Sequence, residues 1–60
     1  MQYYKSAIGK LRSDAAEAAL IRDLATEPTK REMFNRLHDH LNRLADEVER
    51  AMQESTNRSN

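Results

Sequence analysis

"FNRLHDHLNRLADEVERA", residues 34–51, carries an apolar residue at every third or fourth position. Spacings that alternate between three and four place these side chains along one stripe of an α-helix, which is the pattern of helices packed against one another. Ala45 and Met52 widen the stripe on one flank. The members of the stripe are Phe34, Leu37, Leu41, Leu44, Val48 and Ala51.

The chain divides into two helices at a single proline. Pro28 suits the first turn of a helix, and it pushes the residue before it out of the helical region. Thr29 and Glu32 also have the spacing of a capping box, which marks a helix start. Beyond residue 53 the chain has no apolar residue, as is typical of a disordered segment. We therefore predict helix 1 over about residues 2–25, a turn at 26–27, helix 2 over about 28–53 and a disordered tail at 54–60.

Helix 1 carries a matching stripe with smaller side chains. The same alternation of spacings continues through it, and the middle of the stripe consists of Ala15 and Ala18. A short turn makes the two helices antiparallel neighbours. We expect Ala18 to lie near Phe34 and Leu37 of helix 2, because layers of small and large side chains interdigitate well.

A single hairpin leaves much of this apolar surface uncovered. A chain of 60 residues buries only about 60% of its unfolded surface, and there is no cysteine to add a disulfide. Two helices cannot shield such a stripe from water, whereas two hairpins packed together can. The sequence thus predicts an all-α antiparallel helical hairpin that forms a homodimeric four-helix bundle. A tetramer or a heteromeric protein partner is the alternative.

Further apolar residues lie outside the stripes and predict contact with a partner. Leu20 and Leu24 are an i,i+4 pair opposite the stripe of helix 1, and with Ile21 they make its second half apolar almost all round. They either extend the dimer interface or form a further contact patch. The predicted interface with a second copy or a partner consists of Leu20, Ile21, Leu24, Met33, Phe34, Leu37, Leu41, Leu44 and Val48.

Charge and motifs argue against catalysis, nucleic acids and membranes. Ten basic and ten acidic residues give a net charge of zero, which removes the general attraction to phosphates. No stretch approaches the roughly 20 apolar residues of a membrane span, and we expect a cytoplasmic protein. No nucleophile has an adjacent base and no glycine-rich phosphate loop occurs, so we expect neither an enzyme nor a bound cofactor.

The two histidines are not predicted to bind a metal ion. His38 and His40 point about 200° apart on a helix, so they cannot bind one ion together. We expect both to be structural or solvated, with a pH-sensitive contact of His40 at an interface as the alternative.

Acidic residues precede arginines by four positions on the outer face of helix 2. Such pairs stabilise a helix by a few tenths of a kcal/mol each. We therefore expect these arginines to be paired rather than to form a phosphate-binding row. The pairs are Glu32–Arg36, Asp39–Arg43 and Asp46–Arg50.

The motif LHDH, residues 37–40, is followed on helix 2 by DEVER, residues 46–50. Together with both stripes and the turn, these motifs align without gaps over residues 4–52 with Rop-type proteins, the plasmid copy-number RNA-binding family that this chain resembles. The resemblance implies an antiparallel four-helix bundle made by two hairpins. It also implies an alternative function, the binding of RNA by basic residues of helix 1, namely Lys5, Lys10 and Arg12.

The RNA-binding face of that family corresponds here to Ser6, Lys10, Asp14 and Ile21. Lys10 stands where the family has an aromatic residue, and Ile21 stands where it has a basic one. The chain also resembles short helical-hairpin proteins of alphaproteobacteria that have no assigned activity, in which a Tyr-Tyr start and a proline in the turn are common. We therefore predict a small bacterial, non-enzymatic hairpin protein that acts as a protein–protein interaction or regulatory module through dimerisation.

Overall fold

Two α-helices make up the described chain. The computed structural model describes the backbone of residues 2–58 and the side chains of residues 3–55. Helix α1 spans Gln2–Leu24 and helix α2 spans Pro28–Arg58, and no strand occurs within residues 2–58. The helices pack against each other. The prediction of an all-α helical hairpin is confirmed.

Helix α2 is longer than the sequence predicted. It continues to Arg58, whereas the prediction ended it at 53 and assigned 54–60 to a disordered tail. That prediction is wrong for residues 54–58, and residues 59 and 60 lie outside the described part of the chain. No glycine or proline follows Pro28, so the backbone meets no helix-breaking residue, and Gln53 and Glu54 favour the helix.

The turn between the helices is short. The N–H of Ala25 donates to the carbonyl of Ile21 at 2.9 Å, which closes α1. The N–H of Arg31 donates to the carbonyl of Glu27 at 3.0 Å, which begins the hydrogen-bond ladder of α2. Pro28 occupies the first position of α2, where its missing N–H costs no helical hydrogen bond. Within residues 2–58 no backbone φ is positive, so the chain reverses without a left-handed residue.

Alanines form the centre of the hairpin. Ala15 and Ala18 of α1 are 1% and 3% exposed, and Ala45 of α2 is 0% exposed. No large side chain among the described residues is fully buried. Small residues let two helix backbones approach closely, because the distance between helix axes depends on the side chains at the contact.

This packing differs from the prediction at Ala45. The sequence placed Ala45 on a flank of the helix 2 stripe, and that prediction is wrong, because Ala45 is the most deeply buried residue described. Leu37, predicted within the stripe, is 42% exposed. Turning Ala45 inward brings the backbones together, and the larger leucines then lie at the edge of the contact, where two helices alone do not cover them.

The hairpin is an elongated rod. Its Cα atoms extend 51 Å along the helices, and 14 and 10 Å in the other two directions. Neither described helix combines the length and the apolar content that crossing a lipid bilayer requires. A rod of this shape has two broad faces, one on each side of the plane that contains both helices.

Candidate interaction surface

A groove runs between the two helices on one broad face, here called the groove face. Its volume is about 330 Å³ and it is open to solvent. Most of its lining is apolar, and two carboxylates of α1, Asp14 and Glu17, also border it. The apolar lining consists of Ala18, Ile21, Phe34, Leu37 and Leu41.

Hydrogen bonds between polar side chains join the two helices elsewhere. Arg12 of α1 donates to Asp46 of α2 at 3.0 Å and to Glu49 at 3.3 Å. Nearer the turn, Arg22 donates to Asn35 at 2.8 Å. These contacts tie α1 to α2 at two levels of the hairpin.

The groove and the Arg12 ion pairs lie on opposite faces. Successive helical residues turn by about 100°, so two residues nine positions apart point to opposite sides. Arg12 and Ile21 are nine apart on α1, and Leu37 and Asp46 are nine apart on α2. The hairpin therefore has a polar face closed by ion pairs and a groove face that is largely apolar.

Two acids stabilise the positive charge of Arg12. The hydrogen bond to Asp46 is the largest cause that raises the pKa of the guanidinium. Partial desolvation opposes the rise, and the charges of Asp46 and Glu49 add to it. On the polar face, Arg12 is therefore paired with acids of its own chain, and its charge does not require a partner protein.

One of the three predicted charge pairs on helix 2 is confirmed. Arg36 lies 3.3 Å from Glu32. Asp39 instead lies 3.3 Å from His38, and Asp46 binds Arg12 across the hairpin. Sequence spacing identifies neighbours along one helix, whereas a long side chain also reaches acids on the facing helix.

The two histidines have different surroundings. His38 is half-buried, its Nε2 lies 3.1 Å from Nδ2 of Asn42, and its Nδ1 lies 3.3 Å from Oδ1 of Asp39. A hydrogen on Nδ1 satisfies both contacts, since the amide of Asn42 then donates to Nε2. His40 is exposed. In the part of the chain that the structure describes, no group of three acidic or histidine side chains is placed to hold a metal ion.

The groove contains four of the predicted interface residues, namely Ile21, Phe34, Leu37 and Leu41. Leu44 and Val48 follow Leu37 and Leu41 by one heptad, so they continue the same edge of α2, and both are half-buried. The structure thus brings six of the predicted residues to one face.

Three predicted interface residues do not line the groove. Leu20, Leu24 and Met33 are 59%, 73% and 57% exposed. None of them borders the groove. Leu20 and Leu24 therefore form a separate exposed patch on α1 near the turn, here called the turn patch.

Three groove residues were absent from the predicted interface, namely Ala18, which the sequence placed in the stripe of helix 1, and the two acids. Asp14 and Glu17 border the groove beside Ile21. The signal for them was present in the spacing, because Asp14, Glu17 and Ile21 follow one another at three and four positions. A search for apolar residues alone passes over acids that share such a stripe.

Two of the three basic residues considered for RNA contact are engaged by acids. The Nζ of Lys10 lies 3.2 Å from Asp14, and Arg12 binds Asp46 and Glu49. Lys5 is exposed. The cations of α1 are therefore largely neutralised by carboxylates of the same chain.

We expect no salt-dependent binding of structured RNA. Phosphate binding gains its free energy from counterion release by cations that are available to the phosphates, and neighbouring acids compete for Lys10 and Arg12. The measurement is a titration of a labelled RNA hairpin at low salt, repeated with Lys5→Glu. Affinity that falls steeply with added salt, and that Lys5→Glu reduces, would restore the RNA-binding alternative.

Comparison of the chain with protein-family models, with curated proteins and with solved structures finds no match in any of the three. The class of protein therefore rests on its geometry. It is a two-helix hairpin with one polar face closed by ion pairs and one largely apolar face that is open to solvent.

Proposed function

We propose that this chain is a non-enzymatic interaction module that works as a homodimer, in which two hairpins pack through their groove faces into a four-helix bundle. The observation that carries the proposal is the apolar edge of α2 from Phe34 to Val48, which the hairpin leaves only half-buried, beside a core of three alanines. The resemblance to Rop-type hairpins implies the same assembly.

The surface area of the single chain supports the proposal. The chain exposes 4878 Å², whereas a compact monomer of 7.0 kDa exposes about 4,000 Å² by the usual scaling with mass. The excess is about 800 Å². Stable protein interfaces cover about 800 Å² on each partner, so the excess is comparable in size with one docking face.

The outline of the hairpin also fits such an interface. The two helices lie side by side over the 23 residues of α1, about 35 Å at 1.5 Å per residue, and with a width of 14 Å this face has an area of about 500 Å² between Cα atoms. Side chains extend it further. A second hairpin laid on this face covers Leu37, Leu41 and Leu44 at once.

The turn patch supports a further contact. Leu20 and Leu24 remain exposed outside the groove, so docking through the groove face leaves them available for a protein partner or a second dimer. In this role the bundle presents apolar side chains on a rigid helix, as protein-binding helices do. The module thus regulates or scaffolds by contact and carries out no reaction.

The proposal is tested by the mass of the purified protein in solution. Light scattering should give about 14 kDa, twice the 7.0 kDa of one chain, or a multiple of it if the turn patch joins dimers. Leu20→Glu combined with Leu24→Glu should then leave the dimer and remove any larger species. A mass of one chain at about 100 µM would refute the homodimer, since interfaces of this size bind in the micromolar range or tighter.

A further inference from the structure

The side of α1 that faces away from α2 carries the turn patch and, ahead of it, a row of small residues. Leu20 and Leu24 are 59% and 73% exposed. Leu20 follows the buried Ala18 by about 200° around the helix, so it points away from the contact with α2. Spacings of three and four continue from Leu20 toward the start of the helix, and every residue in the row is exposed. This row, here called the outer stripe, consists of Ser6, Gly9, Ser13, Ala16 and Leu20.

Nothing within the hairpin requires a glycine at position 9. A Cβ built on Gly9 would meet no atom within 4 Å, and the φ of Gly9 is not positive. Glycine also lowers the stability of a helix relative to alanine. In an exposed stripe, however, a glycine lets a second helix approach closely, because the distance between helix axes depends on the side chains at the contact.

The flank of the outer stripe carries charges of both signs. Lys10 and Glu17 lie seven residues apart, about two helical turns, so they share this flank. Glu17 forms no ion pair with any side chain that the structure describes. Lys10 binds Asp14 at 3.2 Å, but its side chain is 75% exposed, and an ammonium group has three N–H donors. Lys10 can therefore bind a second carboxylate while it keeps Asp14.

We propose that the outer stripe docks antiparallel on the outer stripe of a second copy, an inference that rests on the further contact proposed above for the turn patch. The twofold axis crosses the two α1 helices midway between Ser13 and Ala16. Gly9 and Leu20 each lie five and a half residues from this level, on either side. Each Gly9 therefore faces the partner subunit's Leu20, and the leucine occupies the space that the missing side chain leaves.

The flank residues agree with this register. A twofold axis that lies across two antiparallel helices keeps each flank on its own side, so Lys10 meets the partner subunit's Glu17. The levels of the two residues differ by two positions, about 3 Å, which side chains of this length span. Tyr3 and the partner subunit's Leu24 meet on the same flank with the same offset. The contact thus covers Tyr3, Leu24 and Leu20, the three most exposed large apolar side chains among the described residues.

A register that joins the leucines directly is unfavourable. Setting Leu20 against the partner subunit's Leu24 moves the axis toward the turn and brings Glu17 to the level of the partner subunit's Glu27. Two carboxylates of like charge then repel each other. Tyr3 also stays uncovered, because only the end of α1 near the turn takes part. Charge complementarity therefore selects the register in which Gly9 receives the leucine.

The outer contact is weaker than the groove-face dimer. It covers three large apolar side chains of each copy, whereas the groove face brings together six. The free energy of such contacts grows with the apolar area that they remove from water. The outer contact therefore joins dimers at concentrations above those at which the dimer itself forms.

Disulfide cross-linking tests the register. The chain has no cysteine, and a disulfide forms only where two Cα atoms come within about 7 Å. Gly9→Cys mixed with Leu20→Cys, at high protein concentration with copper phenanthroline as oxidant, should link position 9 of one chain to position 20 of the other. Each variant alone should not link, because its two copies lie eleven residues, about 16 Å, apart along the helices. Gly9→Cys leaves the hairpin intact, since nothing lies within 4 Å of the added Cβ.

Two further variants set the background and the competing register. Arg43→Cys, at an exposed position of α2, measures links from chance collisions, and Leu20→Cys mixed with Leu24→Cys measures the leucine-to-leucine register. A link between positions 9 and 20 at least about tenfold above the background supports the proposal, since docking raises the local concentration of the two thiols. A link between positions 9 and 20 no greater than the background, or a stronger link between positions 20 and 24, overturns it.

The mass of the native protein at low concentration reports the groove-face dimer separately. A mass of about 14 kDa, twice the 7.0 kDa of one chain, without the link between positions 9 and 20 leaves the homodimer and overturns the outer contact. A mass of 7.0 kDa together with that link supports the outer contact and refutes the homodimer.

Discussion

Leu37→Glu is expected to weaken self-association at least about a thousandfold, which corresponds to about 4 kcal/mol. Leu37 is 42% exposed in the single hairpin and is covered only when a second hairpin docks on the groove face. Fully burying an exposed leucine contributes about 1.5–3 kcal/mol; docking covers the 42% of Leu37 that the hairpin leaves exposed, and the change removes two such residues per dimer. Each new carboxylate also has to be desolvated. Sedimentation equilibrium of the variant should give the 7.0 kDa mass of one chain at concentrations where the native protein is a dimer.

The matched control is Ala16→Glu. Ala16 is exposed, does not border the groove and lies on α1 away from α2. It receives the same negative charge, so it should leave the mass unchanged. If both variants dissociate equally, the dimer is lost because of the added negative charge and not because a residue of the groove face was changed. If Leu37→Glu remains a dimer, the groove face is not the interface.

Ala45→Leu is expected to destabilise the folded protein by about 1–3 kcal/mol. Ala45 is 0% exposed at the contact of the two helices, and a leucine there must push the helices apart or adopt a strained rotamer. The separation would also weaken the contact of Ala15 and Ala18 with α2. Urea unfolding at one fixed protein concentration measures the change, because the midpoint of an associating protein depends on concentration.

Ala16→Leu is the control for this substitution. It adds the same side chain at an exposed helical position, where alanine and leucine differ little in helix propensity. We expect its urea midpoint to stay close to that of the native chain. Equal midpoints for the two variants would mean that the helices do not meet closely at Ala45.

The sequence was sufficient to predict the two helices and the turn. Pro28 ends one helix and begins the next, and the alternation of three and four holds from Phe34 to Ala51. These signals are local, because they depend only on backbone preferences and on the period of the helix. The predicted start of α2 agrees with the structure, and the predicted end of α1 differs by one residue.

The rotation of α2 about its axis could not be predicted in the same way. Ala45 and Leu44 are adjacent, and a hydrophobicity pattern favours the leucine as the inward residue. The close approach of two backbones favours the alanine instead, and that preference depends on Ala15 and Ala18 of the other helix. For the same reason the sequence predicted Arg50 as the partner of Asp46, whereas the partner is Arg12 on the facing helix.

The sequence predicted the apolar residues that line the groove, but it did not predict the acidic residues that border it. Phe34, Leu37 and Leu41 belong to the stripe that the sequence identified. Asp14 and Glu17 join them only because α1 is oriented with Ile21 toward the same face. Which charges border an apolar groove depends on the relative rotation of the two helices, which single-helix patterns leave undetermined.

The central claim is that one hairpin has more apolar surface than it can cover, so that folding and association are coupled. The most direct measurement is the helical circular dichroism of the native chain during dilution from about 100 µM to about 0.1 µM, with the melting temperature recorded at each step. The account predicts that both the helical signal and the melting temperature fall on dilution, as the dimer dissociates into hairpins of low stability. A helical signal and a melting temperature that stay constant throughout, with a mass of 7.0 kDa, would contradict it.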